Sequence, residues 1–350
     1  MTQPIKEFKV NNFDLLRFIA ATEVIFDHYF QHFNITLTER QTEILYLFPG
    51  VPVFFIISGY LISASFERNT KFKDYIRNRF LRIYPGLWGC LIITVIAISI
   101  TGVSFLNKQT LAWLPCQFVG IIYTPGFLST YGIGSYNGSL WSIPVELQFY
   151  LMLPILYFIL PKKSFNYWIF ALFLFFAAID LYFHYPSPPI PIQPVLLKLL
   201  GFTFIPNFTL FLLGVLFQRK RIYQSKFIYN KALYWVIAYV LYVFFMHAYT
   251  TQNPAIILPR NILLGFTIIS LAYTLPTIAK TVLRTNDISY GIYIYHGLVL
   301  TIIVQEKWQP NVNIFIIIGI TYVLAYLSWT FIEKPFIHRK KHTIRTTIGY

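Results

Sequence analysis

Phe13-Asp14-Leu15-Leu16-Arg17-Phe18-Ile19-Ala20-Ala21-Thr22-Glu23-Val24-Ile25-Phe26-Asp27-His28-Tyr29 decides how the chain is read. The run is long and apolar enough to cross a bilayer, yet it carries acids and bases. Positions 14, 17, 21, 24 and 28 step by three and four, the spacing of one helical face, and His32 continues the stripe. Arg17 and His28 are eleven residues apart. Eleven helical steps of about 100° return to within about 20° of the starting direction and climb roughly 16 Å, so the two groups share a face at two depths. Taken singly, Arg17 has a bland reading as a side chain reaching for the headgroups, and His28 as a satisfied interfacial histidine. Arg17 and His28 together with Glu23 and Asp27 in one span are hard to justify by packing, because ionisable groups in a bilayer are costly and mark sites or pathways. The segment reads as the working helix of a membrane enzyme.

The rest of the chain supplies the membrane context. Of 350 residues 56% are hydrophobic, 19% aromatic and only 12% charged, far from an ordinary globular domain. Thirty-five Phe and 26 Tyr suit a helical bundle with aromatic interfacial belts, and no alternating ten-residue segments suggest an outer-membrane barrel. The expected fold class is all-α, a polytopic bundle of about ten transmembrane helices with both termini cytoplasmic. The spans are expected near 13–33, 47–66, 83–103, 139–160, 167–184, 196–217, 234–250, 257–277, 288–306 and 313–333. Lys and Arg number six in 67–82, five in 218–233 and five from Lys334 onward, whereas the opposite loops hold only Arg40, Lys108 and Lys307. The positive-inside rule then places both ends in the cytoplasm, and the net charge of +15 becomes an inward-facing basic surface rather than a nucleic-acid footprint.

Residues 13–337 are expected to form one membrane domain between a cytoplasmic segment, 1–12, and a basic tail, 338–350. The first apolar run lacks a cleavage site and is expected to act as a signal anchor. Leu111–Tyr123 is apolar, short and carries Pro115; an eleventh span there would invert every later loop, so an interfacial or re-entrant segment on the outer face is expected. The stretch Tyr185-Pro186-Ser187-Pro188-Pro189-Ile190-Pro191 reads as a stiff outer connector. Cys90 and Cys116 have no metal-ligand spacing with any histidine and read as packing residues; no metal is expected.

Further chemistry lies in four places. Lys71 to Pro85 is a strongly basic cytoplasmic loop in which Arg79 and Arg82 stand three apart at the start of a span. Such clusters commonly serve topology or lipid contact, but two guanidinium forks at that spacing also suit the phosphates of an anionic donor. Gly50-Val51-Pro52-Val53-Phe54-Phe55-Ile56-Ile57-Ser58-Gly59-Tyr60-Leu61 opens the second span, and its small residues suit close helix approach. Glu146, in Leu140-Trp141-Ser142-Ile143-Pro144-Val145-Glu146, is an intramembrane carboxylate expected to orient a histidine, an arginine or an acceptor hydroxyl. His296 closes Ser289-Tyr290-Gly291-Ile292-Tyr293-Ile294-Tyr295-His296 and reads equally as a site residue or as a buried hydrogen bond to a facing helix.

Together these blocks resemble the acyltransferase-3 family of bacterial membrane O-acyltransferases. The resemblance rests on the Arg17/His28 pair, the block ending Ser58-Gly59-Tyr60, Arg79-x-x-Arg82, the Leu140–Glu146 block, Ser289-Tyr290 through His296, and Ile332-Glu333-Lys334-Pro335-Phe336, in order from about residue 11 to 337. It implies ten core helices and transfer of an acyl group, typically acetyl, from cytoplasmic acyl-CoA to hydroxyls of extracytoplasmic glycans such as O-antigen or another surface polysaccharide. It also implies an inner-membrane location and acetyl-CoA or another acyl-CoA as co-substrate, with no permanently bound cofactor. By resemblance Arg17 and His28 are the essential pair and Arg79 and Arg82 handle the donor, with Ser58, Tyr60, Glu146 and His296 in support. Some family members add an SGNH hydrolase-like domain; this chain ends soon after Glu333, which points to the stand-alone form, with acceptor choice left to outer loops such as 104–138.

The residues point the same way. An alcohol is a poor nucleophile at neutral pH, so transfer from a thioester to a sugar hydroxyl needs a base, and a histidine suits it. His28 is the candidate, as base or as transient acyl carrier. A transporter or flippase for glycans or lipid-linked sugars would also place ionisable groups inside a bundle, but no duplicated half accompanies them here. A non-catalytic scaffold leaves the intramembrane Arg, His and Glu without a reason.

Overall fold

A computed structural model describes residues 10–68, 71–185, 193–250, 254–284 and 286–337. Among these residues there is no β-strand, only a lone bridge between Gly132 and Ser135. The α-helices are, in order, α1 (Phe13–His32), α2 (Glu39–Leu45), α3 (Gly50–Arg68), α4 (Phe72–Ile100), α5 (Lys108–Phe118), α6 (Ser142–Ile159), α7 (Phe165–Phe183), α8 (Pro194–Gly201), α9 (Phe208–Arg219), α10 (Ala232–Thr250), α11 (Ile257–Ala272), α12 (Ile278–Leu283), α13 (Ser289–Gln305) and α14 (Ile314–Ser328). Among the described residues, five helical stretches are long and apolar enough to cross a membrane: Glu39–Arg68, Phe72–Ile100, Gly138–Ile159, Phe165–Phe183 and Ile314–Ile337. Shorter apolar helices cover Ile205–Arg219, Ala232–Met246, Ile257–Ala272 and Ser289–Gln305. This is a multi-pass, all-helical membrane protein. With 20 residues, α1 is about 30 Å long, the thickness of a hydrocarbon core, and it carries Asp14, Arg17, Glu23 and Asp27 along that length.

The helices form two compact units. One contains the first turns of α1, then α2, α3, most of α6, and α7 to α12. Its tightest contact is α3 on α9. A Cβ on Gly59 would collide with the carbonyl oxygen of Phe211, and one on Gly214 with that of Ile56, so the two backbones touch through reciprocal glycines. Asn12 fixes the start of α1: its Nδ2 donates to the carbonyls of Thr274 (2.9 Å) and Leu275 (3.1 Å) beyond the end of α11, and its Oδ1 accepts from Ala279 N. Carbonyls freed by the end of a helix are thereby satisfied. Phe13 then packs against the rings of Tyr60 and Tyr273.

The other unit contains the remainder of α1, α4, α5, the 3-10 turn Gly138–Trp141, α13 and α14. The helix α13 is almost entirely buried. A Cβ on Gly291 would lie 2.8 Å from Cα of Ala325 in α14, so that crossing also depends on a glycine. Thr22 of α1 and Tyr322 of α14 share a hydroxyl–hydroxyl bond of 2.7 Å. One π-helical turn, Trp329–Glu333, follows α14; Ser328 Oγ donates to Glu333 Oε1 (2.9 Å) and Trp329 Nε1 to Asn286 Oδ1 (3.1 Å).

Two sequence expectations change, and a third segment takes a definite form. The span expected at 196–217 is two helices, α8 and α9, because Pro206 removes a backbone donor and disfavours helix at the residue before it, while Thr203 Oγ1 closes α8 by donating to Leu200 O (2.7 Å). The basic loop before the third span is helical: α4 starts at Phe72 and runs through Pro85. Leu111–Tyr123 holds α5, an 11-residue helix about 16 Å long, too short to cross, with its first turn capped by Asn107 Oδ1 accepting from Thr110 N (3.0 Å). The Pro-rich connector at 186–191, the segment 1–9 and the tail from 338 onward lie outside the described residues.

Candidate functional site

The site is built where α1 meets α13. On α1, Ala21 and Val24 are buried, and His28 follows one turn later on the same face. On α13 the only histidine, His296, has no exposed surface. Its Nε2 lies 3.0 Å from Nδ1 of His28, and its Nδ1 lies 3.1 Å from the carbonyl oxygen of Ile292 one turn earlier. The ring of His32 is 5.5 Å from that of His28. Two residues expected at the site are thus joined directly across 268 positions of chain.

The turn of α13 that carries His296 is held from outside. Asn137 Nδ2 donates to Ile294 O (2.8 Å), and Ser139 Oγ donates to Asn137 Oδ1 (2.6 Å). Cys90 Sγ reaches the same Ile294 carbonyl at 3.2 Å, which agrees with a packing role for this cysteine. A Cβ on Gly297 would run into Asn137 Oδ1 and lie 2.8 Å from Ser139 Oγ, so glycine beside His296 is what lets the 3-10 turn seat there. Tyr293 places its ring edge-on to His296 at 5.8 Å, and its hydroxyl shares a 2.7 Å bond with Ser142 Oγ.

The segment 104–138 is similarly fastened. Trp113 and Tyr136 are fully buried, Tyr136 donates to Gln117 Oε1 (2.5 Å), and Gly132 N donates to Gln305 Oε1 (2.8 Å) at the end of α13.

At the other end of α4, Arg82 donates to Asp287 Oδ2 (2.6 Å), whose second oxygen accepts from Ser289 Oγ (2.5 Å). The Arg82 guanidinium lies 5.9 Å from the ring centroid of Tyr290, which in turn donates from its hydroxyl to Ile83 O (2.9 Å). Arg79 stands one turn earlier, with its guanidinium 5.9 Å from the Tyr75 ring centroid. Arg82 is therefore half of a partly buried ion pair. Glu333 is buried as well; among the described residues its Oε2 has no hydrogen-bond partner.

The other expected residues, Arg17, Glu146, Tyr60 and Ser58, belong to the first compact unit. Arg17 pairs with Asp14 on its own helix. Tyr150, four residues on, donates to Glu146 within α6. Tyr60 shares a 3.1 Å hydroxyl bond with Tyr273, and Ser58 is half-buried on α3 beside Gly59. Sequence reading missed Asp287, Asn137 and the Ser142–Tyr293 bond. Asp287 had a signal, since acids are scarce here, 13 in the whole chain, and it lies two positions before the Ser289–His296 block.

Fold and site define a multi-pass helical membrane protein that carries a hydrogen-bonded histidine pair, one member of it fully buried. The chain belongs to the acyltransferase-3 family: the family profile described as "Acyltransferase domain" matches residues 10–332. Nodulation protein 10 of Rhizobium leguminosarum bv. viciae is 31% identical over 346 residues, covering 93% of this chain and 92% of that protein. The O-acetyl transferase of Shigella phage Sf6 is 25% identical over 348 residues, covering 95% and 97%. Peptidoglycan O-acetyltransferase OatA of Listeria monocytogenes is 25% identical, covering 82% of this chain and 51% of that protein. No solved structure matches. The chain is an enzyme, an acyltransferase of the O-acetyltransferase kind, and the transporter and scaffold readings fall away.

Proposed function

We propose that the protein transfers an acyl group, acetyl in the first instance, from cytoplasmic acyl-CoA to a hydroxyl of an extracytoplasmic glycan such as O-antigen or another surface polysaccharide. The observation that carries this reading is the His28–His296 bond within a helical membrane bundle. A histidine with a fixed partner is what a poor hydroxyl nucleophile needs, and its place in a membrane helix suits substrates that arrive from opposite sides. The relatives named as an O-acetyl transferase and a peptidoglycan O-acetyltransferase support acetyl as the group and a glycan as the acceptor.

In this reading the chain crosses the bacterial inner membrane ten times with both termini in the cytoplasm, as the distribution of Lys and Arg supports. Donor phosphates sit at the inner edge near Arg79 and Arg82, and the acyl-bearing arm of the donor extends into the bundle. The acceptor hydroxyl approaches His28, which takes its proton as the hydroxyl oxygen attacks the thioester carbonyl. Arg17, on the same helix, offers a planar cation for oriented hydrogen bonds to the donor or to the developing oxyanion. The segment 104–138 faces outward and contributes to acceptor choice. Mass spectrometry of surface glycans from cells with and without the gene tests the proposal. Loss of one acetyl mass per acceptor unit is expected, and identical spectra would overturn it.

A further inference from the structure

Both ring nitrogens of His296 are engaged, and their partners are not equivalent. Nδ1 faces the Ile292 carbonyl oxygen at 3.1 Å, and Nε2 faces Nδ1 of His28 at 3.0 Å. A carbonyl oxygen accepts and never donates, so the proton of His296 is on Nδ1. In the neutral ring the lone pair is then on Nε2, and the bond to His28 must be donated by His28 Nδ1–H. With its proton on Nδ1, His28 carries its own lone pair on Nε2. One backbone carbonyl thus orders two imidazoles in series.

We infer that His296, oriented by the Ile292 carbonyl, is a positioning residue that fixes the tautomer of His28 and makes Nε2 of His28 the nitrogen that removes the proton from the acceptor hydroxyl. The inference rests on the reading of His28 as the base. In the transfer, the acceptor O–H bond breaks, its proton passes to His28 Nε2, and the ester C–O bond forms at the thioester carbonyl. Collapse of the tetrahedral adduct breaks the C–S bond, and the departing thiolate takes the proton back from Nε2. The Nδ1 proton stays on His28 throughout. While the ring is cationic, its bond to His296 Nε2 becomes charge-assisted and stronger, which stabilises the step. An aspartate holds the equivalent position in serine hydrolase triads. A neutral imidazole does the same orienting without placing a permanent charge in the apolar interior, where an ion is costly.

The surroundings keep this geometry from relaxing. His296 is fully buried, Tyr293 stacks edge-on to it, and Asn137 and Ser139 occupy the space above Gly297, so the turn has no room to rotate. Nothing of this kind is needed for a histidine that merely fills space.

Solution NMR of the full-length protein in micelles, with histidine labelled by nitrogen-15, reads the tautomer directly, and His28→Ala assigns the resonances. Histidine side chains in water favour the proton on Nε2, so an Nδ1-protonated His28 is diagnostic. That form is expected in the wild type. In His296→Gln the amide oxygen replaces the acceptor, so the Nδ1 form is retained and kcat stays within about tenfold of wild type. In His296→Leu the acceptor is lost, the His28 proton redistributes to Nε2, and kcat falls by about 10²- to 10³-fold with a much smaller change in either KM. An Nε2-protonated His28 in the wild type would overturn the inference, even if the leucine variant failed to fold. So would a leucine variant with unchanged tautomer and kcat. The base reading fails separately, by activity retained in His28→Ala, and that result leaves the NMR assignment standing.

Discussion

Nη2 of Arg82 lies 2.6 Å from Oδ2 of Asp287, and this ion pair fastens the first turns of α4 to the residue two positions before α13. The two side chains keep only 20% and 11% of their accessible surface. An arginine in a basic stretch of a membrane protein is usually explained by topology or by lipid. Here it is committed to an acid 205 residues away.

Removing either partner leaves a partly buried charge without its counterpart. Arg82→Gln and Asp287→Asn are each expected to lower stability by about 1.5–3 kcal/mol, the range for hydrogen bonds to charged groups. The double variant should cost less than the sum of the two. Thermal unfolding in detergent measures this, and strictly additive losses would show that the pair is not an energetic unit.

Arg79 has a different task in the proposed mechanism. Arg79→Gln should raise the donor KM severalfold with little change in kcat, because phosphate contacts persist from ground state to transition state. Donor titrations on purified protein decide it; an unchanged KM removes Arg79 from donor binding.

Within α1, His28→Ala should abolish transfer while the protein remains inserted and abundant. Arg17→Lys keeps the charge and loses the planar fork, so activity should fall by an order of magnitude or more, about what one oriented charge-assisted bond supplies. Near-normal turnover of the lysine variant would favour headgroup contact over oriented hydrogen bonding.

Glycines separate by what lies opposite them. Gly214→Ala drives its new methyl into the backbone of α3 at Ile56 and is expected to cost about 1–3 kcal/mol or to prevent assembly. Gly319→Ala meets nothing within 4 Å and should be neutral or stabilising by up to about 1 kcal/mol, since alanine is the better helix former. Gly297→Ala displaces Asn137 and Ser139 from the turn of His296, so it should reduce kcat more than it reduces abundance. Expression level, unfolding midpoint and turnover for the three variants test the ordering.

Sequence alone determined what depends on neighbours along the chain. Apolar runs of bilayer length, the three- and four-residue stripe through Arg17 and His28, and the blocks that resemble a family are local patterns, and the helices and the enzyme class followed from them. Local chemistry also contained signals that were passed over: Pro206 breaks the span expected at 196–217, and the basic residues before Pro85 extend α4 rather than form a loop. Small residues around Gly59 announced a close helix contact, but not that Gly214 would meet it. Which polar groups pair was left to tertiary structure. His28 with His296, Arg82 with Asp287 and Asn137 with the Ile294 carbonyl join positions 157 to 268 residues apart. Side chains that distant are brought together only by packing of whole helices, because a helical period fixes the face a residue presents and carries no information about which other helix will cover that face.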